Sequence, residues 1–247
     1  MLTAFDHGFV VLFAVLWPCY ITFVEMPRFR RRQAAGDPPQ RIRDYATTMA
    51  TQWSLVALAL TIWAAARRPW AELGLRLPHG LAFWIGAALV AAAIAFLAWQ
   101  LTKVRRMAAA RERLRRQLAP LAFLLPTRPH EMGVFYALAL TAGVCEELLV
   151  RGYLLWYLER FVGLPGAVAL SSLMFGLAHF YQGRNGAIRA GLAGLIMAGL
   201  YVSTRSLLLP VVAHALVDAL GGRTAYEALR EEPGVATGGL RRCFPDA

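Results

Sequence analysis

Seven apolar segments, separated by polar links, dominate the pattern of the chain. Their approximate bounds are 9–24, 45–66, 81–101, 132–158, 165–181, 187–202 and 207–220. Most approach the length of about 20 residues at which an α-helix crosses the hydrocarbon core of a bilayer. Continuous apolar runs of this kind are typical of membrane spans. The pattern therefore predicts an all-α fold, a polytopic transmembrane helical bundle of about seven spans.

The composition agrees with a membrane protein, since 58% of the 247 residues are hydrophobic and the mean hydropathy is +0.47. An ordinary soluble domain is about 45–50% apolar. The net charge of +11 comes almost entirely from arginine, because Lys103 is the one lysine. These arginines cluster at the ends of apolar segments and accompany no nucleic-acid-binding motif. We therefore expect the lipid bilayer, and not a nucleic acid, as the partner of the basic surface.

The arginines also predict the orientation in the membrane. The links after the first and third apolar segments hold most of the positive charge and should be cytoplasmic. With seven spans, the N-terminus lies outside and the C-terminus lies in the cytoplasm. Arg67 and Arg68 count against this orientation, because they fall on an external link. We expect a multi-pass integral protein of a bacterial inner membrane.

Three polar groups interrupt the apolar segments in the second half of the chain. They are Glu146, Glu147 and Arg151 in EELLVR, Phe175 and His179 in FGLAH, and His214 and Asp218 in HALVD. An ionisable side chain at such depth costs from about 2.5 kcal/mol upward and usually marks a functional site. Three such groups in three of the last four segments favour a functional site over a structural network.

Helical spacing predicts which of these side chains meet. Glu147 and Arg151 are four residues apart and can pair on one face. Glu146 is rotated by about 100° from that pair, and Gly143, one turn earlier, leaves space beside its carboxylate. Glu147 is thus expected to be held structurally, whereas Glu146 is available for chemistry. His214, four residues before an aspartate, can present its ring beside a second polar group.

The three groups, in this order, fit Glu-Glu-x-x-x-Arg, Phe-x-x-x-His and His-x-x-x-Asn/Asp. Together they resemble the motifs of the CPBP family, which includes the type II CAAX prenyl endopeptidases and bacteriocin-immunity-like proteins. The resemblance implies an intramembrane endopeptidase of the glutamate type, with no covalent intermediate and no metal cofactor. Carried over, it makes Glu146 the general base, lets His179 hold and polarise the water, and places His214 and Asp218 on the oxyanion side.

Glu147, Arg151 and Phe175 would then orient this site. Asp218 departs from the simplest pattern, because an ionised aspartate cannot donate a hydrogen bond to an oxyanion. We therefore expect His214 to be the donor and Asp218 to orient it.

The resemblance divides the chain into three regions. Residues 1–129 form N-terminal transmembrane helices and basic cytoplasmic loops, residues 130–221 form the CPBP-like catalytic core, and residues 222–247 form a polar cytoplasmic tail. The substrate class implied is a membrane protein or a hydrophobic or lipidated peptide.

Three alternatives stay open. Two histidines with a carboxylate are a plausible catalytic zinc set. A non-catalytic immunity or scaffold protein could use the polar groups for peptide binding or assembly. A transporter would favour an inverted repeat, which the chain lacks. The depth of the site is also open, since Glu146 lies about 22 Å along its helix from Glu131, whereas His179 falls near the predicted cytoplasmic end of its span.

Overall fold

The computed structural model describes residues 2–36 and 39–230, and this part of the chain is helical and contains no strand. The helices are α1 (Ala4–Arg32), α2 (Arg41–Ala65), α3 (Leu81–Arg106), α4 (Ala108–Leu118), α5 (Pro129–Glu147), α6 (Leu155–Ala178), α7 (Arg184–Thr204) and α8 (Leu208–Leu229). A π-helical segment, Leu148–Leu154, joins α5 to α6 without a break. The predicted all-α membrane bundle is confirmed.

Five helices in the described ranges are long and apolar enough to cross a membrane: Ala4–Arg32, Arg41–Ala65, Leu81–Arg106, Pro129–Ala178 and Arg184–Thr204. The sequence predicted about seven spans. The difference arises partly because Pro129–Ala178 is a single 50-residue stretch that contains two of the predicted segments. The remaining predicted segment corresponds to α8, in which charged side chains lower the hydropathy.

The 50-residue stretch bends sharply at Gly163. This residue has φ 68° and ψ 173°, a backbone conformation that side-chain-bearing residues rarely adopt. Pro165 follows at the start of the second arm of α6, where a missing N–H costs no helical hydrogen bond. The chain therefore changes direction between the first arm, 155–162, and the second arm, 164–178.

Helix α5 lies at the centre of the bundle. It packs against α2 on one side and against α8 on another, while the second arm of α6 packs along α7 and α8 also contacts α3. The buried core is rich in aromatic and branched side chains, among them Trp63, Leu149, Tyr153 and Trp156. The C-terminal end of α5, which carries Glu146 and Glu147, is consequently enclosed by helices from both halves of the chain.

The two ends of the bundle differ in charge. At one end the starts of α2 and α5 are joined by Arg41 and Glu131, whose side chains lie 3.2 Å apart. The basic residues in the last turns of α1 and α3, and those along α4, belong to this arginine-rich end. At the opposite end, arginines are matched by acids, since Arg68 pairs with Asp6 at 2.6 Å and Arg160 Nη2 lies 3.5 Å from Glu72 Oε2. The orientation in the membrane was predicted from such an uneven distribution of positive charge, and that orientation stays a prediction.

Helix α8 continues past the predicted start of the tail at residue 222 and ends at Leu229. Within this extension Glu227 is buried, and Arg105 donates to it at 3.0 Å. Residues 222–229 are therefore packed helix. Residues 231–247 lie outside the described part of the chain, and the polar tail there stays a prediction.

Candidate active site

The paired glutamates stand at the last two positions of α5, immediately before the π-helical segment Leu148–Leu154. Such wide turns are rare, but α1 contains two more, Leu12–Leu16 and Ile21–Glu25, so the segment alone does not mark a site. Arg151 lies within this segment and donates from Nη1 to Glu147 Oε1 at 2.9 Å. The contact expected from the four-residue spacing is therefore present, although the local helix is π rather than α.

Glu147 is completely buried and joins four helices through its partners. Its Oε1 also contacts His214 Nδ1 of α8 at 2.7 Å. Arg151 donates from Nη2 to the Gly194 carbonyl of α7 at 3.0 Å, and its guanidinium lies 4.6 Å from the ring centroid of Phe175. The Glu147–Arg151 pair thus fixes where α5, α6, α7 and α8 meet.

Glu146 has a different environment. Gln52 of α2 donates from Nε2 to Glu146 Oε1 at 2.8 Å. The second oxygen, Oε2, is buried and has no hydrogen-bond partner within the described ranges, and it lies 3.9 Å from His214 Nε2. The side chain retains 22% exposure. One oxygen is held by a neutral donor, and the other faces an imidazole beyond hydrogen-bond distance.

The space predicted beside Glu146 at Gly143 is not open, and this expectation was wrong. A Cβ at Gly143 would lie 2.8 Å from the Cβ and 2.9 Å from the backbone N of Ala215. The glycine instead permits α8 to approach α5, because small residues let helix backbones come close in a membrane. This close approach brings His214 to the glutamates.

His214 lies among three carboxylates. Besides its contact with Glu147, its Nε2 is 3.6 Å from Asp218 Oδ2 and 3.9 Å from Glu146 Oε2. Asp218 keeps 41% of its side chain exposed and forms the rim of this cluster. The structure therefore brings Glu146, Glu147, His214 and Asp218 together.

His179 directly follows the last residue of α6, and it lies outside the group formed by Glu146, Glu147, His214 and Asp218. Its Nδ1 is 2.8 Å from the Phe175 carbonyl oxygen. The Phe175 ring contacts both imidazoles, with centroid separations of 4.5 Å to His179 and 6.1 Å to His214. In the part of the chain that the structure describes, no hydrogen bond joins His179 to Glu146. The predicted role of His179 in holding the water is therefore not supported by a direct contact with Glu146 and stays a prediction.

Gln52 belongs to this site, and the sequence analysis missed it. The available signal was an amide within the apolar segment 45–66, since a polar side chain in a span needs a partner. Its partner lies 94 residues away, and no helical spacing connects the two. The Gly194 carbonyl, which accepts from Arg151, had no sequence signal at all.

The zinc alternative requires three protein ligands that converge on one point. Over the described ranges, no group of three His, Cys, Asp or Glu side chains is arranged to hold a metal ion. His179 Nδ1 is turned toward the carbonyl of its own helix, whereas His214 Nδ1 contacts Glu147 and leaves Nε2 toward Glu146 and Asp218. A histidine held in this way can still bind a metal through its second nitrogen, so the expected absence of a metal cofactor stays a prediction.

A second buried carboxylate, Asp6, lies at the opposite end of the bundle. Arg68 donates to its two oxygens at 2.7 and 2.6 Å, Tyr153 donates to Oδ1, and the Thr3 hydroxyl and backbone N–H donate to Oδ2. We call these four residues the Asp6 cluster. The hydrogen bond to Asp6 raises the pKa of Arg68. Because Arg68 is buried and paired, it weighs less against the predicted orientation than a free arginine would.

An open cavity of about 460 Å³ also lies at this opposite end. It is lined by Ala71, Glu72, Arg76, Trp156, Glu159, Arg160, Tyr201 and Arg205. Its charges compensate one another in part, since Arg160 Nη2 lies 3.5 Å from Glu72 Oε2. None of the residues predicted for the site lines it, so the cavity is not where the chemistry is expected.

Residues 128–220 match the family model described as type II CAAX prenyl endopeptidase Rce1-like. The match confirms the resemblance drawn from the three motifs and includes all seven predicted site residues. At the level of this family, the chain carries a CAAX-protease-like membrane segment. No curated protein and no solved structure gave a significant match.

Proposed function

We propose that this integral membrane protein, Rce1-like over residues 128–220, is an intramembrane endopeptidase. Its substrate would be a membrane-associated peptide or protein, hydrophobic or lipidated near the cleaved bond. One observation carries the proposal. The Glu146 carboxylate has one oxygen held by Gln52 and one buried oxygen without a partner in the described ranges, 3.9 Å from His214 Nε2.

A water between Glu146 and the substrate would supply the nucleophile. Glu146 Oε2 accepts one proton from this water as its oxygen adds to the scissile carbonyl carbon. The same proton then passes to the leaving amide nitrogen as the carbon–nitrogen bond breaks. The products are a carboxylic acid and an amine, which share the remaining proton as a carboxylate and an ammonium group, and no covalent bond to the protein forms. General base catalysis of this kind contributes about 10²–10⁴-fold to a rate.

His214 is proposed as the donor to the developing oxyanion. In this step both ring nitrogens carry a proton, so that Nδ1 donates to Glu147 and Nε2 donates to the substrate oxygen. Asp218, 3.6 Å from Nε2, orients the ring at the rim of the site. Glu147 and Arg151 keep the ring in place. His179 would contact the substrate or its water from the end of α6, next to Phe175.

The arginine-rich end is proposed to face the cytoplasm, because positive charge is retained on that side of a membrane. A fluorescent protein fused after Ala247 should then fold and fluoresce in the cytoplasm. An alkaline phosphatase fused at the same position should be inactive. The reverse result would overturn this orientation and leave the chemistry of the site unaffected.

Quantitative mass spectrometry of membrane-protein termini tests the activity without knowledge of the substrate. Cells with the intact protein are compared with cells that carry Glu146→Gln and with cells that carry Glu159→Gln, a glutamate that lines the distant cavity. We expect at least one terminus that is present with the wild type and Glu159→Gln and absent with Glu146→Gln. Identical termini in all three samples, at equal protein levels, would contradict the proposal and favour the scaffold alternative.

A further inference from the structure

Gln52 reaches the site from a helix outside the family match. It lies in α2, whereas the matched segment begins at residue 128. Its amide nitrogen donates to Glu146 Oε1 at 2.8 Å. We propose that Gln52 is a positioning residue that holds the catalytic carboxylate of Glu146 in its reactive orientation. This inference rests on the proposed function.

The hydrogen bond keeps Glu146 apart from His214. The separation between Glu146 Oε2 and His214 Nε2 is 3.9 Å, close enough for attraction and too long for a hydrogen bond. Rotation of a carboxylate that is released from Gln52 would close this gap. A direct hydrogen bond between Glu146 and His214 would then occupy both the base and the oxyanion donor. Gln52 prevents this collapse by holding the other oxygen.

An amide suits this task because it donates without charge. An arginine or lysine at the same place would pair with Glu146 as Arg151 pairs with Glu147, and the base would be neutralised. The amide must present its NH₂ group, since an ionised carboxylate can only accept. Gln52 Oε1 is itself buried and has no partner among the residues that the structure describes. A glutamine kept for stability alone would be expected to have both ends satisfied.

Helix α2 is anchored on both sides of Gln52. Toward the arginine-rich end, Tyr45 donates from its hydroxyl to the Leu124 carbonyl at 2.7 Å. Toward the opposite end, Val56, Ala59 and Trp63 are buried in the core. These anchors fix the helix on which Gln52 stands. The catalytic unit therefore includes a residue from the N-terminal helices.

Steady-state kinetics on the purified protein tests the role. The substrate is a synthetic peptide with the sequence around the wild-type-specific terminus. Gln52→Met removes the donor at similar volume, and Ser54→Ala, two residues along the same helix, is the control, since the exposed Ser54 hydroxyl donates to the Ala50 carbonyl of its own helix. We expect Gln52→Met to lower kcat about 10- to 100-fold, as misplacement of a catalytic group does. KM should stay within about twofold, because the substrate surface is unchanged.

Two further variants separate positioning from folding. Gln52→Asn keeps an amide that is too short to reach Glu146, and it should lose kcat as Gln52→Met does. Glu146→Asp withdraws the carboxylate from Gln52, so that adding Gln52→Met to it should lower kcat by less than about twofold, as expected for residues that act through one contact. Full additivity of the two losses would overturn the inference.

The outcomes distinguish this inference from the proposed function. If Glu146→Gln is inactive while Gln52→Met and Gln52→Asn keep wild-type kcat, the inference about Gln52 is wrong and the proposed function stands. If Glu146→Gln is active, the proposed function itself is wrong. A loss confined to KM, or a loss of kcat in proportion to a lower fraction of folded protein, would also overturn the positioning role.

Discussion

Asp6 and Glu146 are both carboxylates set in apolar helices, yet their surroundings differ. Asp6 is completely buried, and both of its oxygens accept hydrogen bonds from Arg68, with further donors from Tyr153 and Thr3. Glu146 has a single neutral donor, Gln52, and an oxygen without a partner in the described part of the chain. Burial of a charge therefore does not by itself identify an active site. The incompletely bonded carboxylate is the one that can take a proton.

Glu147 lies between these two cases. Its Oε2 is also buried without a partner among the described residues. Its charge, however, is matched by Arg151, which is only 1% exposed. A carboxylate compensated in this way is a poor base, because an opposite charge favours the ionised form. The comparison assigns Asp6 and Glu147 to structure and Glu146 to chemistry.

The largest effect on stability is expected from Asp6→Asn. The change leaves Arg68 buried without its counter-charge, and the free energy of unfolding should fall by about 3–5 kcal/mol. Cleavage per folded molecule should stay within about twofold of the wild type. The melting temperature in detergent and the cleavage rate at a temperature where the variant is folded check both parts. A folded Asp6→Asn protein without activity would contradict the assignment of Asp6 to structure alone.

Arg151→Met should lower both the free energy of unfolding and the rate of cleavage per folded molecule. It leaves Glu147 buried and uncompensated, which costs roughly 3 kcal/mol or more, and it frees the His214 ring. Glu147→Gln combined with Arg151→Met should recover part of the stability, because a neutral pair needs no compensation. It should not recover cleavage. Recovery of cleavage in the double variant would show that the pair does not orient His214.

Gly143→Ala should have an intermediate effect. The added methyl group would meet the backbone of Ala215 at 2.9 Å, and overpacking of this kind costs about 1–3 kcal/mol. Displacement of α8 should also reduce cleavage, since His214 moves away from Glu147. Gly199→Ala is the matched control, because nothing lies within 4 Å of its added Cβ. Equal behaviour of the two variants would contradict the close-approach role of Gly143.

The smallest effect is expected from metal chelation. Cleavage by the purified protein should change by less than about twofold after dialysis against a chelator, because no three His, Cys, Asp or Glu side chains of the described ranges are grouped as a catalytic zinc requires. Atomic absorption on the same samples measures bound zinc. Loss of activity that is restored by stoichiometric zinc would favour the metal alternative over the unassisted glutamate.

Local spacing made part of this arrangement predictable. The apolar segments predicted the helices, and the four-residue spacing predicted the contact between Glu147 and Arg151. The contacts that distinguish the two regions are long-range. Asp6 and Arg68 are 62 residues apart, and Gln52 and Glu146 are 94 residues apart. No periodicity encodes such pairs, because they depend on which helices pack together.

The sequence also left the shape of the helices open. It predicted separate segments at 132–158 and 165–181, and the kink at Gly163 is consistent with that division. It did not predict the π-helical segment after Glu147, because wide and ordinary helical turns share the same residue types. The packing role of Gly143 was missed for the same reason as the long-range pairs, since its partner is on α8.

The most direct test of the central claim is a paired measurement on Glu146→Gln, with kcat/KM for the synthetic peptide and the melting temperature of the same preparation. The account predicts a fall in kcat/KM of about 10²–10⁴-fold. It also predicts a melting temperature close to or above that of the wild type, because a neutral amide replaces a carboxylate with a single hydrogen-bond donor and can still accept from Gln52. A folded Glu146→Gln protein with the wild-type kcat/KM would contradict the account.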